Sequence, residues 1–322
     1  MKENSNDSSN SQTGALNRII SMKEMGTLGQ SFIFAGGAGW GKKALSRSFA
    51  RLLLCEKGKF SETCECVSCS RIENNQHPDF HYFGEDESKR SFAIAEVRNL
   101  LEWMSLRSFE GKAKMAVLIG AERLTTEAAN ALLKLLEEPP PSSYLVLLTE
   151  NPRRLLETIR SRCSVIRLRP VQKETIAIQL EKQGIQKEEA LYLAKKSNGS
   201  FSRALEMHEE GEWDEAKEFI DQMCRGQSGA SISLWQKSER AEIVKNIRRT
   251  AEILRDALIL AIGGSEKEIM FRSSANELKA LSTEGAPKLT RKIGYLLETD
   301  RALRSNVNQK LALTRLETIW NV

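Results

Sequence analysis

A glycine-rich stretch, Gly36-Gly37-Ala38-Gly39-Trp40-Gly41-Lys42-Lys43, sits between an apolar run, Ser31–Ala35, and a helix-period segment, Ala44–Leu54. A strand that turns through glycines straight into a helix is a parallel-sheet connection. Its backbone N–H groups and the positive helix N-terminus together surround an anion such as a phosphate. Gly36, Gly41 and Lys42 match the spacing G-x-x-x-x-G-K, with Gly39 inside the turn and Lys42 where a loop lysine meets the β- and γ-phosphates. The next position calls for a Ser or Thr hydroxyl to hold Mg²⁺, and here it is Lys43, which is no metal ligand.

Four more apolar runs follow, Phe80–Phe83, Met115–Ile119, Tyr144–Thr149 and Ser164–Leu168, separated by helix-period segments such as Glu96–Leu106 and Thr126–Glu138. Near-continuous apolar runs suit strands covered on both faces, and strand–helix alternation predicts an α/β fold with a parallel sheet. Pro139–Pro141 stops the helix before the fourth strand. Beyond Pro170 the strand signal ends. Residues 171–210 read as short helices broken by Gly184, Asn198 and Gly199, and 212–322 as longer amphipathic helices. Ile243, Ile247, Leu254, Leu258 and Ala261 share one helical face, closed by Gly263-Gly264; Ile293, Leu296, Leu303 and Val307 mark another. The expected layout is a disordered polar tail (1–13), an α/β domain (14–169), a small helical domain (170–211) and a helical C-terminal domain (212–322).

Composition serves mainly to exclude. With 40% hydrophobic and 28% charged residues, the 322-residue chain is too apolar for a disordered protein. No apolar run reaches the roughly 20 residues a membrane helix needs. The start, MKENSNDSSNSQTG, has no apolar export core, so a cytoplasmic location without membrane attachment is expected. A net charge of +5 is too small to argue for nucleic acid by itself.

The acidic half of a nucleotide-hydrolysing site belongs at the tip of a later apolar strand. Here that tip reads Ile119-Gly120, and Glu122 is the nearest carboxylate. Lacking the hydroxyl, the metal-binding Asp and the water-activating Glu, the chain is not expected to bind Mg²⁺ or to hydrolyse nucleotide unaided. The loop reads as a degenerate nucleotide site, with Trp40 at its tip placed to cover it. These residues leave open whether ATP or ADP is held, and a plain glycine turn without ligand is the alternative.

Four of six cysteines crowd together as Cys55-x8-Cys64-x-Cys66-x2-Cys69. Such thiolates can complete a tetrahedral structural Zn²⁺ site. Cys66/Cys69 has the usual chelating spacing; Cys64/Cys66 is one residue short and needs a tighter turn. A redox pair or packed free thiols are the alternatives. His77 either substitutes as a ligand or caps a helix end before Pro78. Cys163 and Cys224 stand alone and read as small buried hydrophobes.

Several stretches carry a resemblance: the glycine loop, the insert Leu52–Cys69, His77-Pro78-Asp79, the run Asn130-Ala131-Leu132-Leu133-Lys134-Leu135-Leu136-Glu137-Glu138-Pro139-Pro140, and Ser161-Arg162-Cys163. With these the sequence resembles the delta-prime subunit family of the bacterial DNA polymerase III clamp loader, within the AAA+ fold. The likeness is strong over 30–170, moderate over 171–211, and beyond that carried mainly by Asn306-Val307-Asn308-Gln309-Lys310-Leu311. It implies an AAA+-type parallel-sheet P-loop domain, a small helical lid and an all-α collar that joins a five-subunit ring. The implied partners are delta and gamma/tau subunits and, through the complex, the sliding β clamp and primed-template DNA. The implied role is a stator of the DNA polymerase III holoenzyme with no ATP turnover of its own.

By the same resemblance Arg162 is an arginine finger for the neighbouring subunit's ATP site, Arg203 a lid arginine that senses nucleotide, and Thr149 the polar sensor of the fourth strand. Arg98, Arg107, Lys112 and Lys114 are the implied DNA-phosphate contacts. The Cys64-x-Cys66 spacing departs from the family's two-residue gap, and the lost acidic tip favours a stator over a motor. Two rivals stand beside this reading: an active gamma/tau-like motor in which Glu122 or another carboxylate replaces the missing acids, and a small-molecule P-loop kinase, disfavoured by Lys43 and by the helical C-terminal third.

Overall fold

The computed structural model describes residues 11–58, 60, 61, 63–85, 91, 92, 94–224, 235–305 and 307–320. They fall into two compact units: the chain up to Gln172 with Gly199–Phe201, and Lys173–Asn198 with Ser202 onward.

In the first unit five parallel strands, β1 (Ser31–Ala35), β2 (Phe80–Phe83), β3 (Lys114–Ile119), β4 (Ser143–Thr149) and β5 (Ser164–Arg167), form one sheet in the order β2-β3-β4-β1-β5. All five apolar runs are strands, with ends shifted by at most one residue. Because side chains alternate across a strand, each run feeds two cores. Phe32, Phe34, Val117, Val146 and Leu148 pack against α1 (Ser11–Glu24) and α2 (Lys42–Leu54). Ile33, Ala35, Ala116, Leu118, Leu145 and Leu147 pack against α4 (Ile94–Ser105), α5 (Thr126–Glu137) and α6 (Glu157–Arg160). A short α3 (Val67–Glu73) lies in the cysteine insert. Thr125 caps α5 by accepting the Ala128 N–H at 3.2 Å, and the prolines end it. β1 lies between β4 and β5, where the strand order reverses. The glycine loop therefore opens at the sheet's C-terminal edge, the place where open α/β sheets bind ligands.

One expectation is corrected. Residues 11–13, assigned to the tail, are the first turn of α1, because Ala15, Leu16 and Ile19 bury one face of that helix and the Lys23 ammonium donates to Leu52 O. Residues 1–10, the rest of the tail, lie outside the described residues, as does Asn306.

The second unit is helical: α7 (Lys173–Lys182), α8 (Lys187–Lys196), α9 (Phe201–Glu209, entered from the first unit), α10 (Glu212–Cys224), α11 (Arg240–Ala261), α12 (Ala275–Ser282), α13 (Ala286–Arg304) and α14 (Gln309–Trp320). Ile243, Ile247 and Leu254 bury the expected face of α11, which stops at Gly263 with φ +83. Leu296 and Leu303 are buried in α13, whereas Val307 lies past its end and is exposed. Tyr192 stacks at 5.1 Å on both Trp213 and Phe271. Beside it Glu212 accepts from the Lys196 ammonium at 2.8 Å and the Arg249 guanidinium at 2.9 Å. These contacts join residues on both sides of the expected 211/212 boundary within one unit. Among the described residues no helix is long and apolar enough to cross a membrane.

Candidate functional site

The glycine loop folds as its spacing requires. Gly39 and Gly41 adopt φ +69 and +86, and Gly41 leads directly into α2. Lys42 turns back over the loop and donates to Gly36 O at 2.5 Å and Gly37 O at 2.8 Å. Gly36 N–H donates to Thr149 O at 3.1 Å, which ties the loop to the end of β4. The Thr149 hydroxyl is buried and accepts the Asn151 N–H at 3.2 Å. Lys43 is exposed, and its carbonyl accepts from the Tyr82 hydroxyl. The Trp40 ring lies against the loop itself: a Cβ on Gly37 would come within 2.8 Å of it, and the ring also packs onto the core. A Cβ on Gly39 would fall 1.9 Å from the Ser200 hydroxyl, so only glycine fits both the turn and that neighbour.

The tip of β3 holds a residue that the motif reading overlooked. Arg123, in the single 3₁₀ turn Ala121–Arg123, folds its guanidinium over Gly120 and donates to Gly84 O at 2.9 Å and Ile119 O at 3.2 Å. A guanidinium thus lies where a side chain on Gly120 would begin, and it reaches across to the end of β2, on the side of β3 away from β1. Gly120 permits this, since a Cβ there would meet Arg123 Nε at 2.4 Å. The signal was legible as Gly-x-x-Arg after an apolar strand, although no periodicity marks it. Glu122 reaches towards β4, the strand beside β1, where its carboxylate accepts the Glu150 N–H at 3.4 Å.

The four insert cysteines converge: Cys55 at the end of α2, Cys64 in the loop, Cys66 at the start of α3 and Cys69 within it. Their sulfurs all lie within 4.8 Å of one another, with Cys55 3.7 Å from Cys64 and 3.9 Å from Cys66. Tetrahedral ligation at about 2.3 Å separates sulfurs by about 3.8 Å, so the donor set fits a thiolate-binding metal and the short Cys64-x-Cys66 gap does not prevent it. Burial pushes the Cys66 thiol up, but hydrogen bonds from the backbone at Cys69 and Glu56, with the neighbouring thiols, outweigh it and bring Cys66 down to about 6. His77 is no member of the cluster. Its Nδ1 accepts the Asp79 N–H at 3.1 Å and its Nε2 lies 3.0 Å from the Ser68 hydroxyl, while burial lowers its pKa and keeps it neutral. Cys163 is half-buried, and burial pushes its thiol up to about 12. The Cys224 side chain lies outside the described residues.

Arg162 follows α6 and precedes β5, so it belongs to the N-terminal edge of the sheet. Ser164 pairs with Phe32 and Arg167 with Ala35, and the glycine loop leaves from Ala35 at the other edge, roughly 10 Å of strand away. The guanidinium is 36% exposed, ion-paired with Glu137 of α5 at 2.7 Å and donating to Thr158 O at 3.0 Å. Arg203, on the surface of α9, pairs with Glu206 at 3.1 Å and Glu210 at 3.5 Å. Of the four residues implied for DNA, Arg98, Arg107 and Lys112 are exposed. Lys114 is not: it is 4% exposed, with its ammonium over the Trp103 ring at 4.1 Å.

The family described as DNA polymerase III, delta subunit, matches residues 11–172. The DNA polymerase III subunit delta' of Bacillus subtilis is 30% identical over 296 residues, covering 88% of each chain. That of Escherichia coli is 29% identical over 245 residues, covering 75% of this chain and 73% of its own. Among solved structures, a DNA polymerase III gamma subunit-related protein from Thermotoga maritima is 17% identical, with a TM-score of 0.45, and covers 94% of this chain and 98% of that one. With half its length inside the family's profile and a delta' relative matched almost end to end, this chain belongs to the DNA polymerase III delta' subunit family.

Proposed function

We propose that this chain is a stator-like clamp-loader subunit. It helps load the sliding clamp onto primed DNA, lends Arg162 to the ATP site of a neighbouring subunit, and hydrolyses little or no ATP itself. The observation that carries the reading is a pair of opposite placements. At the chain's own loop Lys43 stands where a hydroxyl would hold Mg²⁺, and at the tip of β3 Ile119 and Gly120 stand where carboxylates would, with Arg123 folded over Gly120. At the far edge of the sheet, an exposed guanidinium is out of reach of that loop. Beside another subunit's γ-phosphate it would neutralise charge developing in transfer, an effect worth about 10³–10⁵ in rate in analogous enzymes. The loop's N–H groups and Lys42 still suit an anion, so a bound nucleotide would be an architectural ligand there. Thr149 and Arg203 keep the sensor positions without a metal site to report on. The cysteine cluster is assigned to structural zinc, which would hold the insert folded.

The reading is tested by purification and turnover. The isolated chain is expected to hydrolyse ATP no faster than buffer, and to co-purify with delta and gamma/tau subunits while raising their turnover. Steady hydrolysis by the isolated chain would restore the motor reading, with Glu122 as the acid to examine. Failure to co-purify would remove the clamp-loader reading.

A further inference from the structure

In the helical unit, the turn that leads into α11 and the turn that leads into α14 meet around an open cavity of about 510 Å³. Gln236, Lys237 and Arg240 line it from the first turn, and Asn308, Gln309 and Lys310 from the second. The walls are braced. Trp235, 2% exposed, anchors the first turn, and its carbonyl accepts the Ser238 N–H at 3.1 Å. The Gln309 carboxamide crosses between the turns and donates to Ser238 O at 3.0 Å. Arg240 donates to Leu303 O and Val307 O, both at 3.0 Å, and Gln236 donates to the Glu317 carboxylate at 3.3 Å. Asn308 accepts the Leu311 N–H at 3.3 Å. These contacts fix the shape of the cavity, so a ligand has little left to order.

The chemistry of the walls is one-sided. Three of the lining side chains are cations and three are carboxamides; none is a carboxylate and none is apolar. Lys237 and Lys310 are exposed, and among the described residues neither ammonium is paired with a carboxylate. Glu239, the only acid within 235–240 and 307–310, is exposed and outside the walls, and Glu317 is engaged by Gln236. Three like charges around one space repel one another, and an anion between them relieves that repulsion. Sites for bases and other flat organic ligands are lined mostly by apolar and aromatic side chains, which these walls lack. Ammonium, guanidinium and carboxamide N–H groups instead suit anionic oxygens such as those of phosphate. A lone carboxylate has two oxygens and one charge. Two or three linked phosphates bring enough of both to meet all three cations.

We propose that this cavity binds a small anion of two or three linked phosphates, held by Lys237, Arg240 and Lys310. The inference does not rest on the clamp-loader reading, and co-purification with other subunits bears on neither outcome. Two sources carry that chemistry, an inorganic phosphate chain and the phosphate tail of a nucleotide. The test titrates the full-length chain calorimetrically with pyrophosphate, inorganic triphosphate, ATP and a short single-stranded DNA, each up to about 1 mM. All variants carry Lys42→Ala, which weakens the glycine loop as a second anion site. Lys237→Glu and Lys310→Glu are added together, both at exposed positions, with circular dichroism to show unchanged folding. Lys237→Gln with Lys310→Gln removes the two charges without adding any. Triphosphate is expected to bind the Lys42→Ala chain, about tenfold or more weakly once both lysines are reversed, with the Gln pair in between. ATP binding equal to triphosphate assigns the inorganic chain as the ligand; tighter ATP binding that still needs both lysines assigns the nucleotide tail. A Lys42→Ala chain that binds no triphosphate would overturn the proposal. Binding that the lysine changes leave within about twofold would overturn it too, as would a response to the lysines confined to DNA.

Discussion

Lys114, which starts β3, and Arg162, just before β5, carry the same formal charge at the same edge of the sheet, and their surroundings give them opposite uses. Lys114 is held inside by Trp103 and the Leu106 carbonyl; Arg162 stays at the surface, paired with Glu137 and donating to Thr158 O. Arg123 follows a strand tip where acids would be expected and folds its guanidinium back over Gly120. Glu212 is a largely buried residue whose charge contributes to stability. Burial raises its pKa, but Lys196 and Arg249 outweigh that and hold the carboxyl at about 2. A depressed carboxyl stabilises the fold above its ordinary value near 4.5 and loses that contribution as pH falls from there towards 2. Glu212→Gln is therefore expected to cost on the order of 2–3 kcal/mol near pH 7; Arg249 keeps Glu215 and Lys196 keeps Glu252, which limits the loss. Urea unfolding at pH 7 and pH 3 checks this, since the gap between variant and wild type should narrow at the lower pH. An equal gap at both would contradict the assigned ionisation.

Among the elements, the strands were the most legible, because runs such as Ser31–Ala35 and Tyr144–Thr149 must be apolar on both faces and helices cannot imitate them at that length. The start of α1 was not legible. Its first turn, Ser-Gln-Thr-Gly, is polar, and only docking of Ala15, Leu16 and Ile19 onto the sheet makes it helical. Arg123 was marked only by the glycine three residues before it, since a side chain folding over a glycine leaves no period in the sequence. Asp79, which accepts the Phe109 and Glu110 N–H groups, and Lys114, which donates to Leu106 O, needed the parallel pairing of β2 with β3 before they could be seen to hold one loop. The cysteine insert was readable by spacing, and its geometry suits a tetrahedral ion. The purified protein is expected to contain about one zinc per chain. Its removal by chelator should expose residues 55–69 to protease ahead of the sheet, whose core is built mainly from strands and helices outside the insert, such as Phe32, Phe34 and Phe49. Zinc-free protein with a protected insert would count against the assignment.

At the scale of the whole molecule, the chain divides its charge chemistry between a loop that has lost its metal partners and an arginine that cannot serve that loop. Family membership follows from the sequence match, and the proposed division of labour is argued from the side chains. An assembled clamp loader tests that division most directly. Arg162→Ala is expected to assemble as wild type, because the side chain is exposed and its pairing with Glu137 is worth under about 1 kcal/mol. In single-turnover ATP hydrolysis, the one motor site facing this chain should slow by about 10³-fold, with the other sites unchanged. Hydrolysis at wild-type rate in every site of a fully assembled complex would contradict the account.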